Sequence, residues 1–322
     1  MKKTFKIIFI NLLIIIGILG TCEFYLFKQE QKLYKQMMAR FTKEEVPPLK
    51  YNINKASFDE SFEILSKTEF RKPSGEEYNR ASIIVLGGSY IFGYALKDNE
   101  TVNYHLAKET KRPAYNRGIP GAGIQHAYFQ VSRDDFASET KTDPAFIIYP
   151  FIYHFDYDRL TMKEFDLDNL DHAIEYSIDK KNKNGDLILN KGVFPKYIRS
   201  LYIVKYFRLH VINKIKYKDP QKNEDLLFEL IKRTNDKAIQ KFPNAKFIIL
   251  NWEDNYDKEY IKKINEFSNR LKANGLTVYS MNEITDINFA DQKWRISETD
   301  DHPNYEYWKV VVPKLVNALS LY

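Results

Sequence analysis

The stretch IIVLGGSYIFG, residues 83–93, decides the fold. Four apolar residues run directly into two glycines and a serine, and aromatic residues return at once. A continuous apolar run of this length, closed by glycine, has the pattern of a strand buried on both faces of a parallel sheet. In such a sheet ligands are met outside the carboxyl ends of the strands. Gly87 and Gly88 keep bulk away from that end, and Ser89 presents its hydroxyl there. Other glycine motifs fail on inspection. A phosphate-binding loop needs a Lys-Ser/Thr pair after its glycines, where Tyr90, Ile91 and Phe92 stand. A nucleophile elbow needs glycine two residues after the serine, where Ile91 stands. GIPGAG, 118–123, has its glycines in the wrong order for a dinucleotide fingerprint.

Outward from this stretch an α/β rhythm holds from residue 81 onward. TVNYHLAKET, 101–110, has helical spacing, with Val102, Leu106 and His105 on one face. Ala114 to Asn116 form a short strand leading into the loop RGIPGAG, and AFIIYPFIY (145–153), KFIILNW (246–252) and LTVYSM (276–281) are further strands. EYIKKINEFSNRLKANG, 259–275, is a helix closing at Gly275, and NYEYWKVVVPKLVNALSLY, 304–322, a helix interrupted at Pro313. Buried strands alternating with amphipathic helices predict a three-layer α/β/α sandwich with a mostly parallel central sheet, flavodoxin-like in class. Residues from about 156 to 225 break the rhythm and read as a helical insertion. It contains SLYIVKYFRLHVINKI, 200–215, a basic amphipathic helix that packs its apolar face on the core.

The N-terminus carries the clearest physical signal. Lys2, Lys3 and Lys6 precede an apolar run, residues 7–27, long enough as a helix to cross the hydrocarbon core. The lysines favour an N-terminus on the cytoplasmic side. A retained single-pass signal anchor over residues 1–27 is therefore expected, followed by a polar helix and stalk over 28–80 and a catalytic domain over 81–322 outside the cytoplasm. A cleaved signal peptide lacks a small-residue site after the run. A lipoprotein at Cys22, from LGTC at 19–22, carries Thr21 where a smaller residue is usual.

Composition narrows the classes. The chain has 322 residues, 44% of them hydrophobic and 15% aromatic, enough for a substantial core. A net charge of +6 spread along the chain, with no basic arm or RNP-type aromatic motif, argues against nucleic acid as a partner. Cys22, the single cysteine, excludes an internal disulfide and any cysteine cluster. No His/Asp/Glu group has metal spacing, and no metal or cofactor is expected. His105, His126, His172 and His210 read as structural or surface residues.

Three blocks together carry a family resemblance. GGSYIFGYALKDNETVNYHLAKE, YNRGIPGAG and TDDHPNYEYW, in this order over residues 80–320, resemble the SGNH hydrolases, the GDSL-like esterase and acyltransferase superfamily. The resemblance implies Ser89 as nucleophile, His302 as its general base and Asp300 as the acid that orients the imidazole. It implies that Gly121 offers a backbone N–H to the oxyanion and that Asn116 shapes the loop. Three positions depart from the pattern. Gly88 stands where the family has the aspartate of Gly-Asp-Ser. The acid lies two residues before the histidine instead of three, with Asp301 and Glu298 as further candidates. PFIYHFDYDR, 150–159, lacks the asparagine of the family's third block, leaving His154 as the polar candidate for that oxyanion donor and Asp156 as the match to the aspartate. The expected activity is hydrolysis of an O-acyl ester, O-acetyl first, of a glycan or lipid. Acyl transfer at the same site is the alternative, and a catalytically inactive scaffold that binds glycan or protein at the cell envelope is the rival.

Overall fold

The apolar runs become strands. In order these are β1 (Ser82–Gly87), β2 (Ala114–Gly118), β3 (Pro144–Phe151), β4 (Tyr176–Lys181), β5 (Leu187–Leu189), β6 (Lys246–Asn251), β7 (Val278–Ser280), β8 (Arg295–Ser297) and β9 (Asp300–Pro303). Between them lie the helices α1 (Ser89–Phe92), α2 (Val102–Thr110), α3 (Ile124–Ser132), α4 (Tyr153–Leu160), α5 (Pro220–Lys241), α6 (Lys258–Ala273), α7 (Met281–Thr285) and α8 (Tyr305–Leu319). This is a computed structural model, and it describes residues 17–22, 24, 25, 28, 73–93, 95–140, 142–160, 176–181, 187–189, 218–253, 257–298 and 300–322. The chain divides into two compact units. Met1–Lys67, Met162–Ala173 and Asn190–Asp219 make one; Thr68–Thr161, Ile174–Leu189 and Pro220–Tyr322 make the other, which holds the sheet.

The sheet runs β2-β1-β3-β6-β7, and every pairing in it is parallel. Ile83, Ile84, Val85 and Leu86 of β1 are all exposed by 1% or less, so helices cover both faces of this strand. On one face Val102 and Leu106 of α2 and Trp308, Val311, Val312, Leu315 and Val316 of α8 close over Ile83, Val85, Ile148, Ile248 and Leu250. α3 and α5 pack on each other, with α3 against β1 and α5 against β6. Phe267 of α6 stacks on Phe151 at 5.5 Å between ring centroids. Two small antiparallel pairs, β4 with β5 and β8 with β9, stand apart from the sheet.

Three sequence expectations are corrected. α8 continues through Pro313 from Tyr305 to Leu319 without interruption. A proline inside a helix costs ~3 kcal/mol through its missing N–H and ring clash. Burying Val311, Val312, Leu315, Val316 and Leu319, each worth ~1.5–3 kcal/mol, outweighs that. The apolar run 145–153 is also not all strand: β3 ends at Phe151, and Tyr153 opens α4. Met281, read as the end of a strand, begins α7, whose N-cap Ser280 accepts from the Glu283 N–H at 3.2 Å.

Within the stretch read as an insertion, the described residues form the end of α4, the β4–β5 pair and the first turns of α5. The amphipathic stretch 200–215 lies outside the described residues. So does most of the expected anchor and stalk. Residues 17–22 are helical and exposed, and among the described residues no helix is long and apolar enough to cross a membrane. From the stalk region, Ser74 forms a bridge with Ala114 beside β2.

Candidate active site

The strand order reverses direction between β1 and β3, because the chain leaves β1 for β2 on one side and reaches β3 on the other. An open sheet has its natural crevice at that reversal, outside the carboxyl ends of the strands. A small, partly open cleft lies there. Its walls come from the turn after β1 (Gly88, Ser89, Tyr90), the loop after β2 (Ala122), the β3–α4 segment (Ile152, Phe155, Asp156, Arg159) and Trp252 after β6. Ser89 opens α1 directly after the sheet strand, half-buried, and the turn closes at Gly93, whose N–H reaches the Ser89 carbonyl at 3.0 Å.

The loop after β2 is built around two residues. Ile119 to Ala122 form a turn closed by the Ala122 N–H on the Ile119 carbonyl at 2.9 Å, with Pro120 and Gly121 at its centre. Gly121 has φ +74°, which glycine adopts without cost at this turn position. Asn116, 1% exposed, joins this loop to the serine turn. Its amide donates to the Ile91 carbonyl at 2.6 Å and to Asn103 Oδ1 at 3.1 Å, and its carbonyl accepts from the Gly118 N–H at 3.0 Å. The two backbones meet closely here: a Cβ on Gly118 would fall 2.3 Å from the Phe92 nitrogen.

His302 arrives from the far end of the chain. β9 pairs with β8 and packs against α1, and the His302 ring sits edge-on to Tyr90 at 5.1 Å between centroids. Asn304 secures the start of the last helix, capping α8 through the Tyr307 N–H at 3.0 Å and donating to the Lys293 and Arg295 carbonyls. His302 Nδ1 lies 2.6 Å from Asp300 Oδ1, which also accepts the His302 backbone N–H at 3.0 Å. Burial pushes the Asp300 carboxyl up, but the hydrogen bonds and charge of His302 outweigh it and hold it below its usual range. Asp300 is therefore an acceptor, and Nδ1 carries the proton between them. Of the three candidate acids Asp300 makes this contact; Asp301 is exposed.

The β3–α4 segment differs from expectation. His154 Nδ1 lies 2.8 Å from the Tyr260 hydroxyl of α6, and its ring packs on Phe155 at 4.1 Å. Like His302 and Gly121, it is not among the residues that wall the cleft. Asp156 is, and it is buried. It accepts from the Ile124 N–H at 2.8 Å, the Tyr149 hydroxyl at 2.6 Å and the Ile152 N–H at 3.3 Å, tying α3 and α4 together behind the Gly121 loop. Burial raises its pKa to about 6, with the Tyr149 hydrogen bond, the Arg159 charge and the two N–H groups offsetting part of that rise. Tyr90 is buried in the core and is also the ring against which His302 rests. One residue of the cleft escaped the sequence reading. Arg159 lines the cleft and donates to the Ala122 carbonyl at 2.7 Å; no sequence pattern marks it.

With this geometry in view, comparison with known proteins adds little. No family model matches the chain, and no curated protein does. Forty chains in solved structures match. A protein assigned to the G-D-S-L lipolytic family from Desulfitobacterium hafniense DCB-2 is 14% identical, with 74% of this chain and 99% of that chain covered and a TM-score of 0.44. The psychrotrophic esterase EstA from Pseudoalteromonas sp. is 13% identical, covering 75% and 97%, with a TM-score of 0.41. The acetyl xylan esterase Est2A from Butyrivibrio proteoclasticus is 11% identical, covering 75% and 65%, with a TM-score of 0.40. These neighbours are esterases and a lipolytic protein. Likenesses at this level carry no weight for function, which rests on the site itself.

Proposed function

We propose that the chain is a serine ester hydrolase of the SGNH type, acting on an O-acyl ester, O-acetyl foremost, of a glycan or lipid. One observation carries this reading: the His302–Asp300 pair, bonded at 2.6 Å, lies on a strand packed against the short helix that begins with Ser89. Residues more than two hundred positions apart supply a hydroxyl at the carboxyl end of β1 and a carboxylate-oriented imidazole on the strand that packs against the helix Ser89 opens. A serine hydroxyl is a poor nucleophile until an imidazole takes its proton, and a carboxylate stabilises the imidazolium that forms. With Nδ1 bound to Asp300, Nε2 is the ring atom that accepts the Ser89 proton. The Ser89 and Gly121 N–H groups hold the oxygen of the tetrahedral intermediate, each such donor worth ~3 kcal/mol. Water then releases the acyl group, or a sugar hydroxyl accepts it in the transferase variant.

Release of p-nitrophenol from p-nitrophenyl acetate by the full chain, compared with Ser89→Ala, tests the reading. Equal rates remove the nucleophile. The inactive-scaffold reading draws on the turn of His154 toward Tyr260, and a wild type without any Ser89-dependent rate would establish it. Anchoring by the N-terminal apolar run, with the catalytic unit outside the cytoplasm, belongs to the same proposal and rests on the lysine-flanked sequence alone; fractionation of the expressed chain tests it.

A further inference from the structure

Gly88 and the missing third-block asparagine are two departures with one structural explanation. Gly88 has φ −93° and ψ −153°, a backbone open to any residue, so glycine is not required there for its conformation. It is required for space. A Cβ on Gly88 would meet the Ala122 carbonyl oxygen at 2.8 Å and Arg159 Nη1 at 3.0 Å. The guanidinium thus fills the room that a side chain at position 88 would take. Arg159 Nη1 donates to Ala122 O at 2.7 Å, and its guanidinium carbon lies 5.2 Å from the centre of the Phe155 ring, one turn earlier on α4. A hydrogen bond on one side and an aromatic face on the other fix its orientation. The charge is held between the turn that bears Ser89 and the loop that bears Gly121, and it borders the same cleft as Ser89.

We propose that Arg159 is a catalytic residue, the side-chain donor of the oxyanion site, standing in for the asparagine that the β3–α4 segment lacks. The inference rests on the esterase reading above. As the bond from Ser89 Oγ to the acyl carbon forms, the hydroxyl proton passes to His302 and the carbonyl π electrons move onto oxygen. Arg159 stays charged throughout, donates a hydrogen bond to that oxygen and transfers no proton. Collapse re-forms the carbonyl and breaks the bond to the alcohol, which takes the proton from His302. A guanidinium suits this task because it is always protonated and meets an anionic oxygen with a rigid fork of donors.

The test compares wild type, Ser89→Ala, Arg159→Gln and Arg159→Ala on p-nitrophenyl acetate, a neutral ester, with thermal midpoints measured alongside. Arg159→Gln lowers kcat about 10²-fold or more and changes KM less than about threefold, as expected of an interaction made in the transition state alone. Guanidinium at sub-denaturing concentration restores turnover to Arg159→Ala, and urea at the same concentration does not. Unchanged kcat in both variants overturns the proposal while leaving Ser89-dependent activity intact. So does a rise in KM alone, which would make Arg159 a substrate-binding residue. A lowered midpoint without guanidinium rescue would reduce it to a brace for the loop. Absence of Ser89-dependent turnover in wild type would instead defeat the esterase reading, and this proposal with it.

Discussion

Replacing Asn116 tests whether the serine turn is held from beneath by a buried amide. Asn116→Ala removes two donated hydrogen bonds, to Ile91 O and Asn103 Oδ1, and one accepted from the Gly118 N–H. Three hydrogen bonds at ~1 kcal/mol net each give about 3 kcal/mol, and stranding the buried Ile91 carbonyl and Gly118 N–H adds ~1–2 kcal/mol more. Asn103 Oδ1 keeps its bond from the Thr101 hydroxyl at 2.7 Å and adds little to the loss. A destabilisation of ~3–5 kcal/mol lowers the thermal midpoint of a domain this size by about 6–20 °C. The near-isosteric Asn116→Asp separates the donor role from mere volume. Its carboxylate can still accept from Gly118 but opposes the Ile91 carbonyl and Asn103 Oδ1 with a second acceptor, so it falls at least as far as alanine. Calorimetry of both variants, with ester turnover measured below their midpoints, is the assay. A midpoint for Asn116→Asp near wild type, or a loss under about 2 °C for Asn116→Ala, would refute the reasoning.

Two further outcomes are expected from the site. Asp156 carries a folded pKa of about 6 against its ordinary 3.8, so the folded state keeps a proton that the unfolded state releases between those values. Stability therefore falls as pH rises from ~4 to ~6, by ~3 kcal/mol in total; denaturant titrations should show this slope in wild type and not in Asp156→Asn, and parallel profiles would count against it. Asp300 is the opposite case: its lowered pKa means its stabilisation is present above the ordinary carboxylate range and lost as pH falls through its own value. Asp300→Asn should lower kcat about 10³–10⁴-fold with the fold retained, and a kcat within tenfold of wild type would remove the acid from the triad.

The sheet was legible because its central strands are buried: the runs at 83–86 and 247–250 contain no polar residue to blur them. α3 was missed for a related reason. Residues 124–131 are all buried, the polar Gln125, His126 and Gln130 included, so side-chain polarity does not mark out an exposed face. α5 does show one, with Leu227, Leu230, Ile231, Thr234 and Ala238 exposed by none of their surface and Pro220 at its first position, but its start fell inside the stretch read as an insertion. Pro313 misled because a local rule was outweighed by tertiary packing. At the site, the family resemblance points to Ser89, Asn116, Asp300 and His302. Arg159 lies outside it, because its contact with Gly88 and Ala122 exists only in the folded chain.

The most direct measurement is labelling of the full chain with a fluorophosphonate, followed by mass spectrometry of the modified peptide. The account predicts one adduct, on Ser89, absent from Ser89→Ala and much slower to form in His302→Ala. An unlabelled wild type, or an adduct on another serine, would contradict it.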